Sequence, residues 1–217
     1  MSKPEALVDT CFLQKFSRDG KDAETLKSIL ENLEFRPVIH PYIWKHELSM
    51  FSYVEKLIKD GMIRVATYEE FLAEEDRELY LWQFLELYKE LGEYYKVMNI
   101  SKPFEKLPED CDIFTYRKAK TSLGDVHVIL MAAYAEIPVV FTEDGDISAL
   151  RSIAKRRIDS ESYQITIYDA LDALGQIIEK SNCPFSKKDV EHILNVMGER
   201  SERSRMKKLW DQYHENL

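Results

Sequence analysis

Short apolar runs of strand length alternate along this chain with longer stretches whose apolar residues recur at helical spacing. Ala6-Leu7-Val8 stops at Asp9, and Asp22 to Leu33 sets Leu26, Ile29, Leu30 and Leu33 on one helical face. Pro37 to His40 is a second extended piece, after which Pro41 opens a helix running through Trp44, Glu47, Leu48, Phe51, Val54, Leu57 and Ile58 to Gly61. Met62 to Ala66 is a third strand candidate, followed by a helical region from Tyr68 to about Met98 and a loop from Lys102 to Asp112 containing Pro103 and Pro108.

Beyond the loop, Gly124-Asp125 opens a helix, Val126 to Glu136, so uniformly apolar that it must be buried against a sheet. Pro138 to Thr142 reads as a central strand. It ends in Glu143-Asp144-Gly145-Asp146, which turns into a basic helix from Ile147 to Arg157. Tyr163 to Ile167 is a further strand, followed by a helix to Lys180. Two helices after Pro184, Lys187 to Met197 and Glu199 to about Tyr213, have no strand between them. Alternating strand and helix predicts an α/β fold with a central, mainly parallel sheet flanked by helices. The expected organisation is one domain over 1–183, interrupted by a helical insertion at about 68–112, and a helical C-terminal extension over 184–217.

Composition agrees with a globular chain. Of 217 residues 45% are hydrophobic and 32% charged, with only seven glycines and seven prolines, so neither disorder nor a fibrous repeat is indicated. No uninterrupted apolar stretch of about 18 residues occurs, and the apolar run after Met1 is too short for a signal peptide, so a cytoplasmic protein with no membrane partner is expected. Cys11, Cys111 and Cys183 have no metal-ligand spacing and read as reduced thiols. The net charge of -9 hides segregation: acids crowd the stretch from Tyr68 to Glu90, whereas bases collect at Arg117, Lys118 and Lys120, at Arg151, Lys155, Arg156 and Arg157, and near the C-terminus.

The chemistry lies in acids far apart in sequence. Asp9, Glu47, Asp125 and Asp144 each sit at the edge of an apolar segment or at the head of a helical one, the strand-end side of an open sheet where ligands bind. Each has an ordinary explanation alone: Asp9 and Asp125 as helix caps, Glu47 as a solvated helix residue, Asp144-Gly145 as a turn, Asp146 as the cap of the basic helix. Converging in one crevice they would repel unless protons or hard divalent cations intervened, and oxygen ligands suit magnesium and manganese.

Leu7-Val8-Asp9-Thr10, then Glu47 after an extended piece, then Gly124-Asp125, then Thr142-Glu143-Asp144-Gly145-Asp146 is an order that resembles the PIN domain family. The resemblance spans about Ala6 to Leu174 with the acidic helical region set aside, and is strongest from Gly124 to Ile147. It implies a PIN-like fold and metal-dependent hydrolysis of RNA phosphodiesters, with two Mg2+ or Mn2+ ions about 4 Å apart. Asp9, Asp125 and Asp144 would be ligands, Glu47 a ligand or water-holder, and Asp146 a ligand to the second ion or an orienter. Thr142 would hydrogen-bond a ligand carboxylate, with Thr10 beside it. The chain departs from the family at Cys11, where asparagine or serine is more usual, and in its insertion and C-terminal helices. By analogy a toxin-type or RNA-processing role, a protein inhibitor and a homodimer come into view.

An acidic crevice needs cations nearby to receive a polyanion, and Arg151, Lys155, Arg156 and Arg157 follow the last acidic turn directly, with Arg117, Lys118 and Lys120 as a second candidate group. His127, two residues from Asp125, points away from it, since each residue turns about 100° round the helix, and is a packing group on that geometry. The competing reading from another class is a PIN-like module without catalysis, used for binding or assembly. A haloacid-dehalogenase-like phosphatase ranks lower, because the acid it needs two residues after Asp9 is Cys11 here.

Overall fold

The computed structural model describes residues 3–18, 20–102, 104–109, 111–118, 121–157 and 164–214. Five short strands form one parallel sheet in the order β3-β2-β1-β4-β5, where β1 is Glu5–Val8, β2 Arg36–Ile39, β3 Arg64–Val65, β4 Val139–Phe141 and β5 Thr166–Tyr168. The fold is thus α/β with helices covering the sheet. Ala6, Leu7, Val38, Ile39, Val140 and Phe141 are fully shielded, as strands buried on both faces require. The strand expected over Tyr163 to Ile167 is found at Thr166–Tyr168, and Tyr163 lies outside the described residues.

One further helix appears and one local reading changes. Thr10 to Ser17 is a helix, α1, because the carboxylate of Asp9 caps it by accepting from the Phe12 N–H at 2.7 Å; α2 follows at Ala23–Asn32. The single helix expected from Pro41 to Ile58 is broken. It begins as the short α3, Pro41–Ile43, widens into a π-helical turn over Trp44–Leu48 closed by Ser49 N–H to the Trp44 carbonyl at 2.8 Å, and restarts as α4, Ser52–Lys59, after an extended Phe51. Regular 3.6-residue spacing of apolar side chains is blind to such a widening.

The insertion is one long helix, α5, Arg77–Val97, packed on α6, Leu123–Tyr134, and α7, Gly145–Arg157. Tyr80 and Phe84 are fully shielded, and the His127 ring ties the pieces together: it shares a 2.9 Å hydrogen bond with the Tyr80 hydroxyl and a 3.1 Å one with the Ile113 carbonyl. Burial drives the His127 pKa down to about 3, so the ring is neutral, donating from one nitrogen and accepting at the other. α8, Ala170–Ile178, leads to α9, Lys187–Met197, and α10, Arg203–His214. These last two pack on α1 and α8 and add Val190, Leu194 and Met206 to the shared core. Among the described residues no helix is long and apolar enough to cross a membrane.

Candidate metal centre

β1 lies between β2, which follows it in sequence, and β4, to which the chain returns after the other half of the sheet is built. The carboxyl ends of β1 and β4 therefore flank the switch point of the sheet, where α/β proteins open a crevice. Asp9 leaves β1, and Thr142, Asp144 and Asp146 leave β4.

One carboxylate oxygen from each of Asp125, Asp144 and Asp146 lies within 4.8 Å of the others. Asp125 stands in the first turn of α6, which starts at Leu123 after Ser122; it is thus one turn inside the helix and does not cap it. It makes no side-chain hydrogen bond among the described residues. Burial, then the charges of Asp144, Asp9, Asp146 and Glu47, push its pKa well above the usual carboxylate range. Asp146 is the opposite case. Burial raises it, but Lys102, Ser122 and Tyr95 outweigh that and hold it below its ordinary value. Its Oδ2 accepts from Lys102 Nζ at 2.6 Å, from Ser122 Oγ at 2.6 Å and from the Tyr95 hydroxyl. Asp144 accepts from the Asp146 N–H at 2.9 Å and faces Lys102 Nζ at 3.3 Å.

Asp9 and Glu47 lie outside that close group. Asp9 is buried beneath it with both oxygens engaged, Oδ1 by the Phe12 N–H and Oδ2 by the Thr142 hydroxyl. Burial raises its pKa to about 7, against the lowering effect of those two donors. Thr142 Oγ1 in turn accepts from the Asp144 N–H at 2.9 Å, so a continuous series of hydrogen bonds runs from the start of α1 to the Asp144 backbone. Glu47 hangs from the π-helical turn with Oε2 accepting from Thr10 Oγ1 at 2.5 Å, and burial raises its pKa as well. Loss of hydration, followed by Asp9 and Asp144, pushes the Cys11 thiol up to about 12, which leaves it unreactive as a nucleophile.

Gly124 explains how Glu47 comes so close. A Cβ built there would stand 2.6 Å from Glu47 Oε1 and 2.6 Å from Ile43 Cδ1. Gly124→Ala is expected to fold, because the gain in helix propensity of about 1 kcal/mol offsets mild overpacking. It should nonetheless displace the Glu47 carboxylate and break its hydrogen bond with Thr10. Thermal melts beside a structure of the variant check this, and a Glu47 carboxylate left in place would show that its position does not depend on Gly124.

A cleft of about 590 Å³ opens over the group, lined by Thr10, Glu47, Asp125 and Asp144 and by two cations, Arg117 and Lys118. The segment carrying them is pinned by the Tyr42 hydroxyl to the Tyr116 carbonyl at 3.0 Å, and Lys118 pairs with Glu105. The bases of α7 are placed differently. Lys155 stands ten residues beyond Gly145, about 15 Å along the axis. Arg156 is 3.7 Å from Glu90, whereas Arg151 borders a second depression that it shares with Thr142, Glu143, Asp144 and Asp169. The Arg157 side chain and Lys120 lie outside the described residues. Sequence reading missed Tyr95, Lys102 and Ser122, three isolated polar residues in or beside the insertion that no motif marks. Comparison with family models, curated proteins and solved structures returned no match to this chain.

Proposed function

We propose that this chain is a metal-dependent endoribonuclease of PIN-like type that hydrolyses RNA phosphodiesters in the cleft above Asp125, Asp144 and Asp146. The observation that carries this reading is the convergence of those three carboxylates at the switch point of the sheet. The residues fit a hard divalent ion. The donors are all oxygen, their spacing is within 4.8 Å, and Asp125 is crowded by acids with no cation of its own among the described residues.

When bound, Mg2+ or Mn2+ supplies an acidified water and charge stabilisation for the phosphoryl oxygens. The chain supplies the rest. Asp125, Asp144 and Asp146 hold the ion, while Asp9 and Thr142 fix the backbone that presents Asp144. Glu47, oriented by Thr10 at the cleft, would take the proton of the attacking water as the new P–O bond forms and the bond to the ribose oxygen breaks, the leaving oxygen taking a proton from solvent. Arg117 and Lys118 face incoming phosphates.

Cleavage of a mixed panel of single-stranded and structured RNAs with manganese, magnesium or EDTA tests the reading. Cutting that needs the metal and falls at least about 100-fold in Asp144→Asn is expected. Arg117→Ala should weaken RNA binding and reduce the slope of log K against log salt by about 0.7–0.9, whereas Lys155→Ala at the far end of α7 should change it less. The second reading, a binding module without catalysis, is favoured by one contact: Lys102 already neutralises part of the charge on Asp144 and Asp146. Absence of cutting by pure wild type under every condition would select it.

A further inference from the structure

Resting on the metal reading above, we propose that Lys102 occupies the place of a second cation, so that the cleft takes one divalent ion and a fixed ammonium in place of two ions. Its Nζ bridges two of the three clustered acids, 2.6 Å from Asp146 Oδ2 and 3.3 and 3.5 Å from the two oxygens of Asp144. Asp146 Oδ2 is thereby saturated. It accepts from the ammonium, from Ser122 Oγ and from the Tyr95 hydroxyl, so the single ion reaches Asp146 through Oδ1, and a second ion at Oδ2 would have to expel at least one of these donors. The charge balance agrees: three carboxylates less one ammonium leave the two negative charges that a single divalent ion neutralises.

The ammonium is held in place by the insertion. Ile100 N–H bonds the Tyr95 carbonyl at 2.9 Å, closing the end of α5, and Asn99 beside it takes the left-handed conformation. Just past Lys102 the Phe104 ring lies so close over Gly92 that no Cβ would fit, and stacks on Tyr88 with ring centroids 4.7 Å apart. The Tyr88 hydroxyl then donates to the Glu105 carbonyl at 3.0 Å. Lys102 is thus presented from a loop anchored on both sides. Its side chain keeps 42% of its surface exposed, which leaves it open to an incoming phosphate.

Manganese binding to the full chain, counted by equilibrium dialysis and by loss of the free-ion electron paramagnetic resonance signal, tests this without reference to activity. Wild type and Lys102→Arg should each bind about one ion per chain and Lys102→Met about two, since removing the charge opens the Asp144/Asp146 pair. Gly92→Ala, which evicts Phe104 and with it the loop while altering no charge, should likewise gain an ion. Two ions on wild type, or one on Lys102→Met with an unchanged melting curve, would overturn the assignment of Lys102. No manganese on wild type at all would instead remove the metal reading itself.

Discussion

Replacing Asp125 by asparagine is expected to make the metal-free protein more stable and to make it blind to metal. In the folded chain the Asp125 carboxyl is pushed far above its ordinary pKa by burial and by four neighbouring acids, so at neutral pH its ionisation works against the fold. Asparagine removes that cost while keeping the shape. The gain should be roughly 1–3 kcal/mol, or about 2–4 °C in Tm for each kcal/mol. Saturating manganese closes or reverses that gap: at a concentration near 100 times Kd wild type gains about 2.7 kcal/mol and the variant gains nothing. RNA cleavage should fall at least about 100-fold.

The same groups set the pH dependence. Asp9, with a pKa near 7 in the fold and an ordinary value of 3.8, keeps its proton in the folded chain after the unfolded chain has lost it. Stability without metal therefore falls as pH rises from about 4 to about 7, with Asp125 adding to the slope. In Asp125→Asn the slope should shrink but persist, because Asp9 remains. Thermal melts across that range, with and without manganese, check both statements. A metal-free variant less stable than wild type at pH 7 would show that Asp125 is neutralised by something other than the proposed ion.

The second large effect concerns Asp9, where structure and charge can be separated. Asp9→Ala strips the cap from α1 and strands two buried donors, Phe12 N–H and the Thr142 hydroxyl. The loss should be about 2–4 kcal/mol, a fall in Tm on the order of 10 °C. Asp9→Asn can still accept from Phe12 N–H and can donate to Thr142 Oγ1, so it should lose about 1 kcal/mol or less in stability. If Asp9 acts by holding Thr142 and through it Asp144, Asp9→Asn should retain manganese binding with reduced turnover. If it is itself a ligand, manganese binding should fail with turnover. Titration of manganese against both variants separates the two.

The acids were legible in sequence because each falls where an apolar run ends, and a buried strand that ends in a carboxylate leaves it at the sheet edge. Which of them meet was not legible. Asp9 ends a buried strand and Asp125 heads a buried helix, yet Asp9 spends its oxygens on a helix start and a threonine, and Asp125 spends none among the described residues. The π-helical turn that aims Glu47 leaves no trace in apolar spacing. Tyr95, Lys102 and Ser122 depend on how a long helix docks across α6 and α7, and docking angles are not written in local pattern. The bases of α7 divide along the helix: Arg151 still borders a depression with Asp144, whereas Lys155 and Arg156 are carried further from the acidic turn as the intervening residues coil.

The strand order also governs when this cleft can exist during synthesis. β1 emerges first, but its partner β4 follows some 130 residues later, and the hydrogen bond between Asp9 and Thr142 closes a span of 133 residues. At about 5–20 residues per second that span takes roughly 7–27 s to make, and for about the last 2–9 s of it β1, β2, β3 and the long α5 are already made while Asp144 and Asp146 are not yet translated. A cleft built this way is incomplete while most of its own chain is still being read from the message, so the parallel sheet that positions the acids also delays them.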